Sequence, residues 1–265
     1  CLGVLGLFAT NELGFKAVLW VNAVSFAVMF LAVLFFIPRS QKDRASAQEE
    51  GKQGAKKENL ILKSLKSPSI WNCIFIIMCG YALWNTVNGY LGTYCTRVLH
   101  IPENISSTLS IIRSYIIVFV AGVTGGILMD KFPSKGHGMM TAFACTLLSV
   151  LGVLVTGNVL MLCVAMTVVL SYMVNAIKST YWSILGDAGI PPEDTRRATG
   201  IISLIGLTPD IFVSPVISRF ITWGETNGSV ERGFLLMWAW MGAWALLGIA
   251  FSWILKQRRK KLGIQ

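Results

Sequence analysis

Charge is scarce in this sequence. Only 14% of its 265 residues are Asp, Glu, Lys or Arg, only 13 of them are acidic, and 54% of the chain is hydrophobic. Soluble domains carry about 25% charged residues, so a soluble core wrapped in a solvated surface is excluded. Histidine is scarcer still. His100 and His137 are the two in the chain, and both fall in segments read as loops on opposite sides of a membrane, where they cannot share a metal ion. Cysteine has no CxxC spacing: Cys1, Cys73, Cys79, Cys95, Cys145 and Cys163 are scattered through apolar segments and read as small buried hydrophobes. No metal and no cofactor are expected. An initiator Met is missing too. The opening CLGVLGLFAT has too few apolar residues to span and no basic flank of a signal peptide, and it reads as the tail of a truncated helix.

What is present in quantity is hydrocarbon. A spanning helix needs roughly 20 apolar residues, and such runs recur at 17–37, 70–96, 106–129, 138–157, 159–186, 197–221 and 233–255. Six or seven complete helices are therefore expected, in an all-α integral membrane protein. Its net charge of +10 does not indicate nucleic acid, because the charges are segregated. If the helices alternate, seventeen of the 23 Lys and Arg lie on one side, in 39–66, at Lys131 and Lys135, at Arg196 and Arg197, and in 256–261. Lys16, Arg97, Arg232 and Arg219 fall toward the other. This is the positive-inside pattern, and it predicts a cytoplasmic central loop and C-terminus.

The loop 38–68 (PRSQKDRASAQEEGKQGAKKENLILKSLKSP) is polar and reads as a flexible linker. Its end, 59–66, fits either a surface amphipathic helix or an ordinary entry into the next span. Three regions follow: 1–37, the linker 38–68, and 69–265 with six helices joined by short loops. Six helices behind a long basic loop is the layout expected of one repeat of a two-repeat transporter.

Three ionisable residues interrupt the apolar runs. Arg113 lies in SIIRSYIIVFVAGVTGGILMD, Lys178 in YMVNAIKSTYW and Asp210 in LIGLTPDIF. Intramembrane charge is costly and faces a cavity or a partner. In one arrangement Asp210 neutralises Lys178 or Arg113 and leaves a positive charge for an anion, which the guanidinium fork suits. In another Asp210 carries a proton, its affinity set by burial and the neighbouring cation. A purely structural ion pair is a third. Polar and aromatic residues join them. Tyr81, Trp84, Asn85 and Asn88 recur at i, i+3, i+4 and i+7, one face of a helix, with Gly89 and Gly92 beside it; Ser171, Asn175, Lys178 and Trp182 share another face, with Tyr181 adjacent. These faces line a site for a polar organic solute or serve as interhelical hydrogen bonds and interface anchors. Gly122 and Gly126 form a GxxxG pair that predicts a close backbone approach. Pro209 before Asp210 predicts a break in that helix.

The stretch Gly126-Ile-Leu-Met-Asp130-Lys131-Phe-Pro-Ser-Lys135 resembles the loop signature of the major facilitator superfamily, G-x-L-x-D-R/K-x-G-R/K-R/K, and occupies the matching place between the second and third helices after the linker. Pro133 stands where the pattern has Gly, and Ser134 where it has a basic residue. The resemblance implies that the chain comprises the end of the fifth helix, the sixth, the central loop and the six helices of the C-terminal half. It implies a gating role for Gly126, Asp130 and Lys131, with Asp130 facing the start of the helix near Asp194 and Thr195 and complementing its dipole. The intramembrane Arg113 resembles the nitrate/nitrite branch, and YWSILGDAGIPPEDTRRATGIISLIGLTPDIF resembles prokaryotic nitrate/nitrite or sugar-type permeases.

Together these features predict a multi-pass inner-membrane secondary transporter, monomeric when complete, that moves a small polar solute by alternating access without a catalytic step. The large aromatic and Asn face favours an organic anion such as a sugar acid over nitrate. Arg113 and Lys178 would bind it, with protons or a counter-transported anion as further partners. The alternatives are a proton-coupled permease for a neutral sugar, using Asp210, and, in another class, a membrane-embedded enzyme or ligand sensor.

Overall fold

The computed structural model describes residues 20, 23–32, 67–157, 159–190 and 192–261. The chain divides into two compact units, Cys1–Lys63 and Ser64–Gln265. Within the first, the described part is a short apolar helix, α1 (Ala23–Ala32). The central loop, with the expected amphipathic stretch 59–66, lies outside the described residues, as do most of the 17–37 span and the opening ten residues.

The second unit is built of helices alone among its described residues. They are α2 (Pro68–Arg97), α3 (Glu103–Ile111), a π-helical segment (Ile112–Ile117), α4 (Val118–Lys131), α5 (Lys135–Thr156), α6 (Leu160–Thr180), a 3-10 turn (Tyr181–Ser183), α7 (Ile184–Asp187), α8 (Pro192–Gly206), α9 (Pro209–Thr226) and α10 (Val230–Lys261). Joined end to end they make six apolar stretches of 22 to 31 residues. At 1.5 Å per residue even the shortest exceeds a hydrocarbon core of about 30 Å. Helices are the one open-ended way to satisfy backbone groups in lipid, which is why apolar run length predicts this fold.

Local chemistry sets the boundaries. Pro68 begins α2, a position where its missing N–H is no loss. Ser134 caps α5 by accepting a hydrogen bond from the His137 N–H at 3.0 Å, so His137 lies in the first helical turn rather than in a loop. The predicted break is present: α8 ends at Gly206 and α9 restarts at Pro209, whose ring cannot donate across the junction.

Helix α2 is the hub, two-thirds buried (67%), and it packs against α6, α8, α9 and α10. The stretch Glu103–Lys131 is the most peripheral, with 17% of its apolar window buried. Its close approach to α6 does not use the GxxxG pair. Neither Gly122 nor Gly126 has an atom within 4 Å of where a Cβ would stand, whereas a Cβ on Gly125 would lie 3.3 Å from the Ala176 Cα. The spacing of small residues was right in kind but one position off, because the buried face of α4 runs through Ala121, Gly125 and Met129. The α9–α10 hairpin is tighter still: a Cβ on Gly224 would meet the Gly233 backbone N at 2.7 Å.

Candidate functional site

The expected polar and aromatic faces meet. Tyr81, Trp84 and Asn85 project from α2 beside Lys178 and Asn175 of α6 and Asp210 of α9. Tyr81 donates its hydroxyl to Asp210 at 2.9 Å, and Asn85 Nδ2 donates to the same carboxylate at 2.6 Å. The Tyr81 and Trp84 rings stack with centroids 5.5 Å apart. Trp84 Nε1 donates to Asn175 Oδ1 at 3.1 Å. The Lys178 ammonium sits 2.8 Å from the Trp84 ring centroid and 5.6 Å from that of Tyr81. A cation over an indole face is held by the ring quadrupole.

The helix break explains the exposure of Asp210. It is the second residue of α9, so its side chain leaves the chain at the junction instead of packing into a continuous helix, and it is exposed. Asn88 lies further along the same face but is turned back, donating to the Trp84 carbonyl at 2.9 Å. The cluster lies about midway along α2: Tyr81 is about 20 Å from the start of the helix by its rise.

Arg113 is elsewhere, a departure from the expected convergence of three charges. Its side chain is buried (5% exposed) and lies on the π-helical segment, a feature frequent at functional positions. Its partners are neutral: Thr167 Oγ1 at 3.4 Å, Ser110 Oγ at 3.1 Å and Cys95 Sγ at 3.7 Å. Among the described residues no carboxylate pairs with Arg113 or with Lys178, and Asp210 neutralises neither; its oxygens are taken by Tyr81 and Asn85. Thr167 and Lys178 are both on α6, about 16 Å apart by helical rise, which separates the two cations. A line of hydrogen bonds connects the regions: Ser171 Oγ donates to the Thr167 carbonyl, Asn175 Nδ2 to the Ser171 carbonyl, and Trp84 to Asn175. A Cβ on Gly92 would stand 3.1 Å from Ser110 Oγ, so the glycine lets α3 seat Ser110 beside Arg113.

The loop signature forms a second polar centre at the Lys131 end of α4. Asp130 pairs with Lys135 at 2.5 Å, and both Asp130 and Lys131 are exposed. Of the expected partner near Asp194 and Thr195, the Asp194 side chain lies outside those described. Sequence reasoning missed the buried acid at this end. Asp187 accepts from the Gly136 N–H at 3.2 Å and pairs with Arg259 at 3.3 Å. Arg259 Nη1 also donates to the Pro133 carbonyl at 2.7 Å. The 132–134 loop and the first turn of α5 are thus tied to α4, α7 and α10. The available signal was the scarcity of acids: an Asp at the end of an apolar run, in a chain with a basic C-terminus, needs a cation.

A family model described as Major Facilitator Superfamily matches residues 1–212. Among curated proteins, the inner membrane protein YqcE of Escherichia coli strain K12 is 26% identical over 262 residues, covering 96% of this chain and 60% of that protein. The inner membrane protein YihN of the same strain is 23% identical over 268 residues, covering 98% and 62%. The chain spans about three-fifths of the length of these relatives.

Proposed function

Because the chain belongs to the major facilitator superfamily, we propose that the protein is a secondary transporter moving a small organic anion, such as a sugar acid, by alternating access. One observation carries the reading: Tyr81, Trp84, Asn85, Asn175, Lys178 and Asp210, from three helices, form one half-exposed cluster about midway along α2. An aromatic slab with amides and both signs of charge suits a hydroxylated acid, whose ring stacks on aromatic faces while its hydroxyls and carboxylate find donors and acceptors. Asn88 lines the same face at its edge. Arg113 supplies the surplus positive charge on the same polar line, with guanidinium donors to spare beyond its three neutral partners.

In this reading the loop after α4 is the inner gate. Gly126, Asp130 and Lys131 belong to it by the family signature, and the contacts of Asp187 and Arg259 support its being held from two further helices. The charge distribution supports a cytoplasmic C-terminus and central loop, and the two inner membrane proteins of Escherichia coli support an inner-membrane location.

A proton-coupled permease for a neutral sugar is the second reading, favoured by Asp210 standing exposed without a cation in ion-pair distance among the described residues. Both are tested by thermal shift of the purified protein with carboxylates, phosphates, sulfonates, nitrate and neutral sugars, wild type against Arg113→Gln. Stabilisation of wild type alone by an organic acid supports the first reading. Stabilisation of both proteins by a neutral sugar, with no anion effective, overturns it in favour of the second.

A further inference from the structure

A groove of about 370 Å³, with no lining residue in the cluster above, lies between the start of α2 and the end of α10. Its walls are apolar and aromatic. Phe75 of α2 stacks on Phe251 of α10, centroids 4.7 Å apart and planes 9° from parallel, and Trp71 continues the row at 6.1 Å from Phe75. One end is polar. Asn72 lines the groove, is 4% exposed, and neither its amide nitrogen nor its amide oxygen has a hydrogen-bond partner among the described residues. An unsatisfied buried amide costs roughly 1–3 kcal/mol, so a side chain kept in this condition marks a place where something supplies a partner.

Charge at the same end has one sign. Arg258 lines the groove without a hydrogen-bond or ion-pair partner among the described residues. Its neighbours along α10 are engaged elsewhere: Lys256 reaches His137 Nδ1 at 2.9 Å, and Arg259 pairs with Asp187. Helix α2 contributes its positive end, since Pro68 opens the helix, the capping residue Ser67 offers no side-chain hydrogen bond and no acidic residue lies in the first turn. A helix N-terminus favours an anion. Here the Arg258 guanidinium and the buried Asn72 amide, both without partners among the described residues, stand beside it, and a slot lined by Trp71, Phe75, Phe251 and Ile254 leads away into the apolar flank.

We propose that this groove holds the headgroup of an anionic membrane phospholipid, its phosphate between Arg258 and the start of α2 and an acyl chain along the aromatic row. A basic pocket between membrane helices is the expected form of such a site. A free phosphate shares the headgroup chemistry but leaves the aromatic slot empty, so lipid is the occupant that uses the whole groove. In this site the headgroup supplies the partner that the Asn72 amide lacks among the described residues.

The test uses the purified protein, delipidated in detergent and titrated with dioctanoyl phosphatidylglycerol, dioctanoyl phosphatidylcholine or glycerol 3-phosphate, with retained lipid counted by native mass spectrometry and melting followed in parallel. Wild type is expected to retain phosphatidylglycerol about fivefold better than phosphatidylcholine, the effect of one basic group near anionic lipid, and Arg258→Gln to lose that preference. Asn72→Leu is expected to melt higher than wild type without lipid and to gain less than wild type from phosphatidylglycerol, a combination that a packing role for Asn72 would not give. Equal retention of the two lipids by wild type, or unchanged preference in Arg258→Gln, overturns the proposal. Displacement of phosphatidylglycerol by equimolar glycerol 3-phosphate overturns it as a lipid site and leaves an anion site.

Discussion

Lys178 lies over the Trp84 ring, its ammonium 2.8 Å from the ring centroid, and not against a carboxylate. The cation is thereby stored on an aromatic face at a cost lower than burial alone, and it can leave that face for a better partner. In the proposed reading an anion arriving beside Trp84 would compete with the ring for Lys178 and free Trp84 to stack on the solute.

Lys178→Met is therefore expected to raise the solute concentration needed for half-maximal uptake about tenfold or more, since a charge-assisted hydrogen bond is worth about 1.5–3 kcal/mol. Trp84→Leu is expected to impair uptake while leaving the helices folded. Uptake into vesicles with circular dichroism as the folding control checks both; unchanged uptake in Lys178→Met removes that residue from the site.

Arg113 pairs only with neutral groups among the described residues, so its burial is a liability for folding that binding can offset. Arg113→Met is expected to melt higher than wild type by about 2–4 °C, corresponding to about 1 kcal/mol in a chain of this size, and to lose stabilisation by anions. A lower melting temperature together with intact anion stabilisation would assign Arg113 a structural role instead.

Asp210→Asn separates the two transport readings. The amide oxygen still accepts a hydrogen bond from Tyr81, so the fold is expected to persist. If Asp210 only positions the solute, uptake weakens but still responds to an imposed pH gradient. If it carries the coupled proton, uphill uptake ends and exchange of solute across the membrane survives.

At the Lys131 end the two acids are expected to differ. Asp187 is buried, and Asp187→Asn takes the charge out of its pair with Arg259, at a cost of about 2 kcal/mol, the worth of a hydrogen bond to a charged group. Asp130→Asn removes an exposed pair worth under about 1 kcal/mol. Thermal melts in detergent compare them. If the loop is the gate, cysteine labelling of the loop rises in Asp187→Asn while solute affinity from the other face is kept.

Much of the architecture was legible because the bilayer leaves few choices: apolar runs of sufficient length become helices, and Pro209 breaks one of them. The i, i+3, i+4 spacing also placed Tyr81, Trp84 and Asn85 on one face before any neighbour was known. The misplacements were of one kind. Gly125 rather than Gly122 and Gly126 meets α6, Arg113 stands apart from Lys178, and Asp187 outranks Asp130 in burial, and each of these depends on the rotation of one helix about its axis relative to another.

Composition and periodicity thus determined which segments cross the membrane, which faces are polar, and which few charges need an explanation. Tertiary structure alone decided which charges meet. Helix rotation is set by side-chain packing against neighbours, and the π-helical segment at 112–117 and the break at 207–208 reset the phase of two helices. A constant 3.6-residue period carries no record of either shift, so the partners of Arg113 and Asp210 could be read only from the assembled bundle.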